Sequence, residues 1–189
     1  MSPLAELLRA AGAAFDRLGA GWFVFGAQAA ILHGAARLTA DVDITVALGT
    51  RSLEELLAAL EEQGFATRGE KPIDFARRTR VLPVVHGGTG FPVDVVVAGP
   101  GLEERFLERR EQRMLDGVCV PLVRAEDLIA MKLLAGRAKD IEDAVAVIAA
   151  QRDRLDLSMV RDTLALLEQG LDRSDLEPML DEVLRRASR

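Results

Sequence analysis

Apolar residues recur every three to four positions at the start of the chain: Leu4, Leu7, Leu8, Ala11, Phe15 and Leu18. That spacing predicts an amphipathic helix over 3–18, stopped near Gly19 and Gly21. "WFVF" (22–25) then reads as a short apolar strand, and "AQAAILHGAA" as a helix opening just after Gly26. In "ADVDITV" the period changes to two. Val42, Ile44 and Val46 share one face of a strand over 41–47, and Asp41, Asp43 and Thr45 share the other.

Ser52 and Glu55 have the spacing of a capping box, which predicts a helix over 52–63. "GFATR" reads as a short strand. "RVLPVVH" and "FPVDVVVAG" flank the turn "GGTG" as a hairpin, with Pro83 and Pro92 weakening the strand ends. A charged helix is expected over 101–114, then a strand in "GVCVPLV". From Ala125 the pattern is helical throughout, in segments 125–135, 139–150, 157–169 and 174–187 broken at Gly136 and Gly170. This predicts a mixed α/β core over 1–122 and a C-terminal helical region over 123–189. Hairpin and crossover connections together imply a mixed rather than purely parallel sheet.

Composition narrows the function classes. The 189 residues suit one sizeable domain, or one domain with a small appendage. A net charge of -6 provides no global basic field for nucleic acid, and with seven Phe, one Trp and no Tyr a base-stacking platform is not expected. Cys119 is the single cysteine, which excludes an intramolecular disulfide and argues against a Cys-based zinc site. The N-terminus lacks the apolar core of a signal peptide, and no stretch is long and apolar enough to span a bilayer. A cytoplasmic protein with no membrane association is the expectation.

Three features carry candidate chemistry. Gly26 lies between a strand and a helix, where free backbone amides can hold an anion. Asp41 and Asp43 follow fifteen residues later, the length of one helix and a return loop. Asp94 stands alone on the face of its strand opposite Val93, Val95 and Val97. Clustered carboxylates on neighbouring strands suit a hard divalent cation such as magnesium, which takes oxygen ligands and substrate phosphates. Arg37 and Thr39, on the loop before the carboxylate strand, would then lie near bound phosphates.

"VFGAQAAILHGAARLTADVDITV" resembles the nucleotidyltransferase superfamily signature, a glycine-led helix start followed by Asp-x-Asp and a later third Asp. With "RAEDLIAMKLLAGRAKDIEDAVAVI" downstream, the chain resembles the AbiEii-type nucleotidyltransferases, bacterial proteins often encoded as the toxin of a toxin–antitoxin pair. The likeness spans roughly residues 20 to 150 in motif order. It implies two magnesium ions held by Asp41, Asp43 and Asp94, with an NTP as substrate and phosphates contacted at Gly26, Ala27 and Lys132. Attack on the α-phosphate would transfer a nucleoside monophosphate to an RNA 3′ end, a protein hydroxyl or a small molecule. The toxin-like resemblance favours RNA, tRNA especially, or protein over an antibiotic, and implies an antitoxin partner. Position 27 is Ala where the family has Gly or Ser, which keeps a backbone amide and removes a hydroxyl.

Each residue also has a plainer reading. Asp41 and Asp43 could be a solvated strand edge, Asp94 an exposed strand end, and Lys132 a solvated helix lysine. Asp140 is expected to pair with Arg137 or Lys132 at a helix start. His33 suits neutral packing, and His86 a turn. Two other functions stand beside nucleotidyl transfer. One is a non-catalytic nucleotidyltransferase-fold module that binds a nucleotide or a partner; the other is a magnesium phosphodiesterase or nuclease.

Overall fold

The structure, a computed structural model, describes residues 1–188; Arg189, the end of the expected helical region, lies outside them. The chain divides into two compact units. The first comprises Met1–Phe25 and Thr39–Val123, and the second Gly26–Leu38 and the residues from Arg124 onward. The segment 26–38, expected within the α/β core, therefore groups with the C-terminal helices.

The first unit is built on a seven-stranded mixed sheet among the described residues. Its strands are β1 (Gly21–Phe25), β2 (Val42–Ala47), β3 (Phe65–Thr67), β4 (Val81–His86), β5 (Pro92–Val97), β6 (Glu111–Leu115) and β7 (Val118–Leu122). Their order is β3-β4-β5-β2-β1-β7-β6. β2 pairs with β5 and β1 with β7 in parallel, while β1–β2, β3–β4, β4–β5 and β6–β7 are antiparallel. The helices of this unit are α1 (Pro3–Leu18), α3 (Leu53–Glu62), α4 (Pro72–Thr79) and α5 (Leu102–Arg109).

Alternation along the central strands assigns the faces. Val42, Ile44 and Val46 are fully buried, as their pattern requires. Trp22 and Val24, register partners of Val46 and Ile44, share that face. There Trp22 lies 5.3 Å from Phe15 of α1, ring centre to ring centre. Gly12 of α1 makes room for the indole, since a Cβ on it would lie 3.1 Å from the Trp22 ring. On the opposite face, Gly21 abuts Leu107 of α5. α1 and α5 thus cover opposite faces of β1.

Two local expectations need correction. The charged helix ends at Arg109 rather than Met114, because residues 111–115 form β6 of a tight hairpin. Its turn is Asp116–Gly117, both with positive φ (46° and 85°), the geometry that Asp-Gly supplies in two-residue hairpins. His86 is not a turn residue. It ends β4 buried, 4.9 Å from the Phe65 ring, with its Nδ1 3.0 Å from Thr89 Oγ1.

The second unit contains α2 (Gly26–Leu32), α6 (Ala125–Ala135), α7 (Ala138–Gln151), a 3-10 turn (Arg152–Arg154), α8 (Leu157–Leu171) and α9 (Leu176–Ala187). α6 packs on α7 and α8, α7 on α9, and α2 against both α6 and α7. Gly136 ends α6 at φ 63°, as expected. Gly170 does not break the chain; α8 runs through it and stops at Asp172 in the left-handed region.

Candidate active site

β2 and β5 place two carboxylates in register. Asp43 is the partner of Asp94, and Phe25 of β1 is the partner of Asp43 on its other side. Neighbouring strands lie ~4.8 Å apart, and register partners project to one face. Asp43 and Asp94 therefore stand side by side beside Phe23 and Phe25, whose rings are 6.4 Å apart. Thr45, next on this face of β2, is buried, whereas Asp43 and Asp94 are half-buried. The acidic end of the face is the wetter one.

Asp41 precedes β2 and is exposed; its backbone N–H donates to Thr39 Oγ1 at 3.3 Å. The structure thus brings Asp43 and Asp94 into register and leaves Asp41 in the segment leading to them. Among the described residues no group of three or more His, Cys, Asp or Glu side chains converges as a metal cage. Two adjacent carboxylates still fit magnesium, which commonly takes one or two from the protein and completes its shell with phosphate and water.

Sequence reasoning missed Arg68. It follows β3 and donates through Nη2 to Asp94 Oδ1, and through Nε to the Val84 carbonyl at 2.9 Å. Its position in "ATRGEKP" offers no periodic or motif signal, because the strand pairing alone brings it to Asp94.

The other expected site residues belong to the helical unit. Gly26 opens α2 at φ 67°, a left-handed conformation that favours glycine, and Ala27 follows it. Arg37 Nη1 donates to both oxygens of Asp143, at 2.8 and 2.7 Å. Lys132 is buried, and its Nζ donates to Asp140 Oδ1 at 2.9 Å and Asp143 Oδ2 at 2.7 Å. Arg137 closes the chain of charges on Asp140, 3.3 Å from Nη2 to Oδ1. Asp140 thus makes both ion pairs considered for it. Burial pushes its carboxyl up, but hydrogen bonds from Arg137 and Lys132 and their positive charge outweigh that and hold it below the ordinary value. Positive and negative groups alternate from Arg37 through Asp143, Lys132 and Asp140 to Arg137.

A family profile described as "Nucleotidyltransferase of unknown function (DUF6036)" matches residues 5–172. The chain belongs to this family. Among solved structures it resembles the antibiotic-resistance factor ANT(2'')-Ia in solution, at 18% identity and TM-score 0.59 over 89% of this chain and 93% of that one. It is similar to ANT(2'')-Ia crystallised with adenylyl-2''-tobramycin, at 17% identity and TM-score 0.60 over 90% and 99%. An antigenic nucleotidyltransferase-like protein from Paracoccidioides brasiliensis matches at 19% identity and TM-score 0.54 over 98% and 94%. At these identities the likeness is one of fold. No curated protein matches the chain. No helix among the described residues is long and apolar enough to cross a membrane.

Proposed function

We propose that this member of the nucleotidyltransferase family transfers a nucleoside monophosphate from an NTP to a hydroxyl acceptor, with magnesium at Asp43 and Asp94. The observation carrying this reading is the in-register pair Asp43–Asp94 on adjacent parallel strands of a nucleotidyltransferase-like sheet. Magnesium, when bound, supplies charge neutralisation at the phosphates and favours in-line attack on the α-phosphate. The protein's part is to present two adjacent carboxylates from central strands, beside the Phe23–Phe25 edge. Asp41 lies in the exposed segment that leads into β2.

Lys132 already donates its amine to two carboxylates of the helical unit, Asp140 and Asp143. Asp143 in turn accepts from Arg37.

For the acceptor, the AbiEii-type resemblance favours an RNA end or a protein hydroxyl and a toxin role with a protein antitoxin. ANT(2'')-Ia, crystallised with adenylyl-2''-tobramycin, brings a small-molecule hydroxyl alongside them. Isothermal titration of NTP with and without magnesium tests the core of the reading. Binding should weaken strongly when the ion is omitted, and equal affinity in both conditions would refute the metal assignment.

A further inference from the structure

Arg68 is attached to β4 at two points before it reaches Asp94. Its backbone N–H donates to the Pro83 carbonyl at 2.9 Å, and its Nε to the Val84 carbonyl at 2.9 Å. Pro83 is the register partner of Asp94 across β4–β5. The guanidinium is therefore delivered at the level of the carboxylate pair, with Nη2 on Asp94 Oδ1. Arg68 and Asp94 are 39% and 44% exposed. An ion pair that open contributes little to stability, so folding alone gives weak reason for a guanidinium anchored in this way.

Its position has a consequence for metal binding. A lone divalent cation approaching Asp43 and Asp94 meets a permanent positive charge that already occupies one Asp94 oxygen. A metal–nucleotide complex meets a different balance, because its phosphates offer the guanidinium a second anionic partner with matching fork geometry.

We propose that Arg68 is a resident counter-ion of the acidic pair. It holds Asp94 in the free protein and shifts its terminal nitrogens to nucleotide phosphate when metal and NTP arrive together. Metal affinity is thereby coupled to nucleotide, and Arg68 is a positioning residue for Asp94. This rests on the reading of Asp43 and Asp94 as the metal carboxylates.

Manganese binding to the 189-residue chain, followed by electron paramagnetic resonance with and without α,β-methylene-ATP, tests the coupling. The wild type should bind Mn²⁺ weakly alone and much more tightly with the analogue. Arg68→Gln should bind Mn²⁺ alone on the order of tenfold more tightly, with a smaller gain from the analogue. Arg68→Lys, which keeps the charge without the Nε bond to Val84, should stay close to wild type, so the proposal can be judged even if the Gln variant folds poorly.

Unchanged or weaker Mn²⁺ binding by a folded Arg68→Gln would overturn the counter-ion, as would a Lys variant that binds Mn²⁺ alone tenfold more tightly. If Asp43→Asn still loses Mn²⁺ binding in either case, the carboxylate assignment stands and only Arg68's role falls. Wild-type protein that binds no Mn²⁺ even with the analogue would overturn both.

Discussion

Asp43 and Asp94 are register partners on β2 and β5 although 51 residues separate them in the chain. Parallel pairing needs a crossover, here the segment carrying α3, β3, α4 and β4. Two like charges therefore meet on adjacent central strands, one of them beside Arg68. Such an arrangement suits a site that receives a cation together with its anionic substrate.

The buried charges of the helical unit make a prediction about stability. Lys132→Met keeps much of the side-chain length but leaves Asp140 and Asp143 without the ammonium between them. Arg37 and Arg137 still pair with Asp143 and Asp140, so the cost falls short of an uncompensated buried charge and is that of lost charge-assisted hydrogen bonds, about 1.5–3 kcal/mol. Urea unfolding should show a loss of that size. A loss below about 1 kcal/mol, the range of surface pairs, would mean that the amine is solvated.

Acid should act through Asp140. Its folded carboxyl lies below its ordinary value, so it stabilises the fold above the unfolded value of about 4. That contribution falls away as pH drops through the lower folded value. Asp140→Asn should flatten the acid limb of the stability profile below about pH 4, and an unchanged limb would contradict the assignment.

The capping box of α3 is complete. Ser52 Oγ accepts from the Glu55 N–H at 3.1 Å, and Glu55 Oε2 accepts from the Ser52 N–H at 2.8 Å. Ser52→Ala should cost about 1 kcal/mol, seen as a lower urea midpoint with an unchanged slope. No change in midpoint would mean that the cap contributes nothing to the helix.

Local signals read well where one residue type has one physical use. The helical spacing from Leu4 to Leu18 gives α1 as expected, and Ser52 with Glu55 marks the start of α3. The alternation in "DVDITV" assigned the buried face of β2 correctly. Asp116–Gly117 is equally local, a two-residue hairpin turn, while the charge in "EQRML" gives the edge strand before it the look of a helix. α4 is short and charged, with Ala76 as its buried residue, and so carries no apolar period in the sequence. Pairing was less legible. Nothing near Arg68 points to Asp94, and nothing near Arg37 points to Asp143, since both contacts depend on which distant elements fold together. Asp43 and Asp94 are legible as candidate carboxylates, and so are Arg137 and Lys132 as partners of Asp140, whereas Arg68 on Asp94 and Arg37 on Asp143 are not.

The central claim is that Asp43 and Asp94 serve metal-dependent transfer from an NTP. Its most direct test is label transfer from α-³²P-NTP to total RNA, lysate protein and aminoglycosides, comparing wild type with Asp43→Asn. Asp43 is half-buried on the wetter face, away from the Val42–Ile44–Val46 core, and the swap removes one of two adjacent negative charges. The variant should therefore melt at or above the wild-type temperature in the absence of metal. Wild type should label at least one acceptor with magnesium and lose that labelling in EDTA, and folded Asp43→Asn should stay at background. Equal labelling by the two proteins, or wild-type labelling that survives EDTA, would contradict the claim.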